Sequence, residues 1–109
     1  MKIILTLLVL ISVSVSASNV TTAKIVEVLV GPNYGNNVFL NVSPKPNGTP
    51  ACKSNPEWDY VFDGSTDSGK ITMSVALAAY AAGKEVWLAG SGNCTLYTNV
   101  EDLYHFVSK

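Results

Sequence analysis

Arginine is absent from the 109 residues, histidine occurs once, at His105, and cysteine only twice, at Cys52 and Cys94. Each scarcity excludes something. Without a guanidinium fork, and with a formal net charge of −1, the surface has neither the bidentate phosphate grip nor the basic stripe of a nucleic-acid binder. His105 has no cysteine close to it in the chain to suggest a zinc site, and no serine or cysteine motif accompanies it to make a nucleophile and base pair. The cysteines are too far apart in sequence for a C-x-x-C redox pair. No apolar run reaches the roughly 20 residues that a membrane helix needs.

What is present begins at the N-terminus. Met1-Lys2 precedes a mainly apolar stretch over residues 3–11, then Ser12-Val13-Ser14-Val15-Ser16-Ala17. A charged start, a short apolar centre and a small-residue end are the parts of a secretory signal peptide, with Val15 and Ala17 fitting the small-x-small pattern before a cut. Residues 1–17 are therefore expected to be removed and the product to be secreted, periplasmic or extracellular, with no membrane span after cleavage. Residues 18–109 then form a single domain of 92 residues with six Lys against eight Asp and Glu, a net charge of −2. In an oxidising compartment Cys52 and Cys94 are expected to pair. Closing such a loop restricts the unfolded chain by about 4 kcal/mol on the entropy model.

Along the domain, residues 23–30 are rich in β-branched residues and stop at Gly31-Pro32-Asn33, and residues 38–42 return as a hairpin partner. Residues 43–50 hold three prolines and read as a loop. Trp58, Tyr60 and Phe62 alternate at period two, predicting a third strand with all three rings in the core. Residues 63–68 have turn and cap chemistry, and a helix is expected from Ser68 or Gly69 to Ala82, ended by Gly83. Residues 84–89 form a fourth strand, and residues 94–97 with 103–107 the last strand region. The predicted class is mainly β with one helix, order β-β-β-α-β-β. A helix between the third and fourth of five strands is the connectivity of the OB barrel, and an OB-like barrel over residues 18–109 with one disulfide is the expected fold.

The helix carries two apolar arcs. Ile71, Val75, Ala78, Ala79 and Ala82 make one; Met73, Leu77, Tyr80 and Ala81 make the other; no charge lies between Lys70 and Lys84. Covering a barrel needs only one arc, so two readings of the second stand: Met73, Leu77 and Tyr80 at a subunit interface of a homo-oligomer, or Met73 and Tyr80 laid over neighbouring loops.

Several motifs fall short of the chemistry they evoke. Gly64-Ser65-Thr66-Asp67-Ser68-Gly69-Lys70 has P-loop spacing, but Ile71 stands where a magnesium-holding Ser or Thr is required. Asp63 and Asp67 lack the alternating ligand set of a calcium loop. Glu57 and Asp59 flank Trp58 but would point to the opposite face of a strand from it. Asn19, Asn41, Asn47 and Asn93 each begin an Asn-x-Ser/Thr triplet, which accepts a glycan only in a eukaryotic secretory pathway. No catalytic residue, cofactor site or metal site is expected.

Ala51-Cys52-Lys53-Ser54-Asn55 leading to Trp58, a helix containing Leu77-Ala78-Ala79-Tyr80 and stopping at Gly83, and then Lys84-Glu85-Val86-Trp87-Leu88 resemble the binding subunit of subtilase-type AB5 cytotoxins over about residues 51–88. The resemblance implies an OB-like barrel, export, no catalysis, and a ring in which helices surround an axis. A tyrosine that helps hold a sialylated glycan in that family has Ala89 and Gly90 in its place here, so the glycan site does not carry over. The functional expectation is a non-enzymatic binding module for a surface glycan or other cell-surface ligand, with Trp87, Tyr97 and Tyr104 as ring contacts. The alternative is an inhibitor or immunity-type protein that holds a partner protein through the Pro-rich loop at residues 43–50.

Overall fold

The structure, a computed structural model, describes Thr6 and residues 16–109. The leader expected at residues 1–17 otherwise lies outside the described residues. Five strands, β1 (Asn19–Leu29), β2 (Asn37–Ser43), β3 (Tyr60–Asp63), β4 (Val86–Gly90) and β5 (Glu101–Ser108), and one helix, α1 (Asp67–Ala82), follow in the order β-β-β-α-β-β. The strands close into a barrel in the order β1-β2-β3-β5-β4, with β3 and β5 parallel and every other neighbouring pair antiparallel. This is the five-stranded OB-like barrel expected from the element order.

Closure depends on β1, which serves two partners. Its first residues pair with β4, Val20 opposite Leu88, and its later ones with β2, Val28 opposite Leu40. The register shifts between Val20 and Ala23 and again between Ile25 and Glu27. Such irregularities bend a strand, which lets one strand turn the corner between two halves of a barrel. Inward residues then alternate along the strands: Val38, Leu40 and Val42 on β2, Tyr60 and Phe62 on β3, and Val86 and Leu88 on β4, all buried together with Val20, Ala23 and Ile25.

The helix covers one mouth of the barrel through small residues. Thr66 caps it, its Oγ1 accepting from Gly69 N at 2.9 Å, and Gly83 ends it in the left-handed conformation with φ 61°. Gly69, Ala76 and Ala79 are buried and Met73 packs on the core. Only Ala79 of the Ile71 arc is therefore buried, and Ile71 itself is 67% exposed. The arc that meets the barrel is not the one read from the sequence. The rotation is set by Gly69, where a Cβ would collide with the backbone carbonyl of Asp63, so the turn after β3 seats the helix on its smallest residue.

Cys52 and Cys94 form the expected disulfide, Cα–Cα 6.1 Å, tying the segment before β3 to the β4–β5 connection. Residues 94–97 are not part of a strand. That segment wraps around the Asp102 carboxylate, which accepts from Thr95 N at 3.1 Å and Leu96 N at 3.1 Å. Trp58 also departs from expectation. Asn55 Oδ1 accepts from the backbone N–H groups of Glu57 (3.0 Å) and Trp58 (2.8 Å). This turn delays β3 to Tyr60 and leaves the Trp58 ring on the outside of the barrel, against Phe39.

Candidate functional site

The outer face of β2 and β3 carries a second apolar cluster. Phe39 and Val61 point away from the barrel interior, as alternation requires, and are buried with Val100 under Leu29, Tyr34, Trp58 and Tyr97. Phe39 is the hub. The rings of Tyr97 (4.9 Å between centroids, 88° between planes), Tyr34 (5.3 Å, 71°) and Trp58 (6.3 Å, 62°) surround it edge-on, an arrangement favoured by the ring quadrupole. Tyr34 is carried by the short 3-10 turn Pro32–Tyr34 between β1 and β2.

Above this cluster lies a groove of about 270 Å³, lined by Leu29, Tyr34, Phe39, Asn55, Pro56, Glu57, Trp58 and Tyr97. The three outer rings are half-buried, so each keeps one accessible flank, and Glu57 is exposed beside them. Among the described residues the Glu57 carboxylate makes no hydrogen bond or ion pair. The groove thus combines aromatic surface with a free acceptor and two phenol hydroxyls, which can orient a polar ring-shaped ligand but supply no convergent acid, base and nucleophile.

The predicted ring contacts separate. Tyr97 belongs to this groove. Trp87 and Tyr104 lie elsewhere, around His105 on β4 and β5: Trp87 sits edge-on to His105 with centroids 4.6 Å apart, and the Tyr104 ring is tilted against it at 6.3 Å. Trp87 Nε1 donates to Asn19 Oδ1 at 2.8 Å, whereas Tyr104 is 76% exposed. Of the residues expected at a subunit interface, Met73 rests against the barrel core, while Leu77 and Tyr80 are both 44% exposed.

Two buried carboxylates were missed by the sequence reading. Asp59 receives Val42 N at 2.8 Å and Lys45 Nζ at 2.9 Å on Oδ2, with Lys53 Nζ 3.6 Å from Oδ1. It fastens the Pro-rich loop and the Cys52 segment to β2. Glu101 is wholly buried and accepts from Ser18 Oγ (2.5 Å), Ser18 N (3.2 Å) and Gly92 N (2.8 Å). The Tyr60 hydroxyl meets Ser18 Oγ at 2.6 Å, and burial pushes that phenol's pKa well above the ordinary tyrosine value, opposed by the Ser18 hydrogen bond. The parity of β5 is the signal that could have found Glu101: Leu103, two residues on, packs against the barrel core.

Among the described residues, no group of three or more His, Cys, Asp or Glu converges as metal ligands, and no helix is long and apolar enough to cross a membrane. Comparison with protein-family models, with curated proteins and with solved structures finds no match.

Proposed function

We propose that this protein is an exported, non-catalytic binding module that takes a sugar ring of a surface glycan in the Tyr34–Trp58–Tyr97 groove and works as a homo-oligomer. The observation that carries the reading is the triad of half-buried rings held edge-on around Phe39 beside the unpaired Glu57 carboxylate. Apolar C–H faces of a sugar stack on such rings while its hydroxyls donate to a free carboxylate. The groove lies just below the usual range of about 300–1,000 Å³ for ligand pockets, so it suits one ring. A site that small binds weakly, and several copies on one assembly would raise avidity without new contacts.

A second copy of the chain is the partner best suited to the exposed apolar residues of the helix. Ile71 and Val75 on one arc and Leu77 and Tyr80 on the other are exposed, and the absence of charge from Ile71 to Gly83 means that the helices of two copies meet without burying an ion. This fits the ring implied by the toxin-subunit resemblance, which rests on the sequence.

The test is a glycan array followed by NMR titration with the best hit, together with light scattering. Binding that shifts resonances of Tyr34, Trp58 and Tyr97 and is lost in Trp58→Ala supports the reading. A chain that binds no glycan, or one whose shifts map to Trp87 and Tyr104 instead, refutes this site. A monomeric mass refutes the assembly.

The Pro-rich loop favours a second reading, an inhibitor-type contact with a partner protein. Lys45 is held by Asn41, the Glu57 carbonyl and Asp59, and Asn47 exchanges backbone hydrogen bonds with Asn19, both at 3.0 Å. A loop fixed in this way loses little entropy on binding. Replacing residues 43–50 by Gly and Ser would abolish capture of one specific protein if this reading holds.

A further inference from the structure

Ser18 stands at the point where the chain enters the barrel. Ala17 and Ser16 are exposed, whereas Ser18 is buried to 1% and its carbonyl accepts from Gly90 N at 3.0 Å. Its backbone nitrogen faces Glu101 Oε2 at 3.2 Å and its hydroxyl faces Oε1 at 2.5 Å. Glu101 has no exposure at all, and among the described residues no lysine or histidine pairs with it. The site is built around that carboxylate: a Cβ on Gly90 would stand 2.5 Å from Oε1 and closer still to Cδ and Oε2. A buried carboxylate held by three neutral donors is left without a countercharge, which is costly.

We infer that Glu101 is the receptor for a new N-terminus: a leader peptidase hydrolyses the Ala17–Ser18 bond, and the Ser18 α-ammonium so formed makes a buried ion pair with the Glu101 carboxylate. The step consumes one water, leaving a carboxylate on Ala17 and an ammonium on Ser18, so the missing positive charge is created beside the acid. Little is lost in exchange, since the described residues before Ser18 make a single side-chain hydrogen bond, Ser16 Oγ to Gly48 O at 2.6 Å. The pairing couples processing to stability, because only the processed chain completes the polar cluster of Ser18, Tyr60, Gly92 and Glu101. The inference rests on the export reading with its cut after Ala17 and adds to it the fate of the amine.

Two experiments separate the inference from that reading. The full chain is expressed in an exporting bacterial host and the product's intact mass measured. A product starting at Ser18 supports the inference; a product cut at another bond overturns it while leaving export standing; an uncut chain overturns both. Independently, the chain starting at Ser18 is compared with its Ala17-extended and Nα-acetylated forms. The free-amine form is expected to melt about 5 °C or more higher at pH 7. Pairing raises the ammonium's pKa in the folded state, so this advantage is complete below the unfolded value of about 8 and is lost as pH rises through the folded value. The folded α-amine should also resist reductive methylation with labelled formaldehyde. Equal melting points, or ready methylation in the folded state, overturn the pairing. In Glu101→Gln the difference between free and acetylated forms should vanish. Should that variant fail to fold, the comparison at native Glu101 still decides.

Discussion

Replacing Gly90 by Ala tests the Glu101 cluster most sharply, because the backbone at Gly90 does not demand glycine: its φ is not among the positive ones. The penalty comes from collision alone. The added Cβ would occupy the space of the Glu101 carboxyl group, and that side chain, wholly buried on a strand paired with β3 at Glu101 itself and with β4 from Leu103 onward, has no room to shift within the core. Expelling it removes the acceptor from Ser18 N and Gly92 N. A buried donor left without a partner costs about 1–3 kcal/mol, so the pair costs about 4 kcal/mol. Alanine recovers roughly 0.5–1 kcal/mol relative to glycine in a strand. The net loss is about 3 kcal/mol, or a melting point lowered by roughly 12–24 °C for a domain of this size. Urea unfolding of Gly90→Ala, Glu101→Ala and the double variant forms the assay. With the carboxylate gone the Cβ has space, so Gly90→Ala in the Glu101→Ala background should be neutral or slightly stabilising, a coupling of about 3 kcal/mol. A loss under about 1 kcal/mol in the native background, or the same loss in both, would refute the reasoning.

Other substitutions probe the remaining elements. Gly69→Ala should destabilise by about 2 kcal/mol or more, although alanine gains nearly 1 kcal/mol over glycine in an ordinary helix interior, because its Cβ meets the Asp63 carbonyl; thermal unfolding reads the sign. Thr66→Ala removes the cap bond to Gly69 N and should cost about 1 kcal/mol by urea unfolding. Tyr60→Phe should flatten the alkaline limb of the stability curve. The phenol's pKa is raised by burial, so the unfolded chain ionises first, and stability present below about pH 10 falls as pH rises through the folded value. Asp59→Asn should release the loop at residues 43–50 and cost about 3 kcal/mol, since it weakens the hold on Lys45 and Val42 N; faster amide exchange at Asn47 would report the release.

Element order and disulfide were legible in the chain because both rest on local signals: β-branched runs broken at Gly31-Pro32, turn and cap chemistry over residues 63–68, a Gly83 stop, and only two cysteines to join. The candidate groove was legible only in Tyr97. Trp58 shares the parity of Tyr60 and Phe62, and nothing in that alternation reveals that the Asn55 turn ends the strand before it reaches Trp58. Phe39 reads as one apolar residue in an apolar strand, yet its neighbours Val38 and Leu40 face the barrel while it gathers Tyr34, Trp58 and Tyr97 from three separate loops.

The amino-acid sequence by itself determined the class, mainly β with one helix in β-β-β-α-β-β order, because strand and helix periodicities, caps and turn residues act over a few neighbours. Only the tertiary structure decided which helix arc met the barrel, which rings converged, and that Ser18 and Glu101, 83 positions apart, would touch. Those outcomes depend on barrel closure, which brings remote residues together and asks, at Gly69 and Gly90, for the room that a missing side chain leaves.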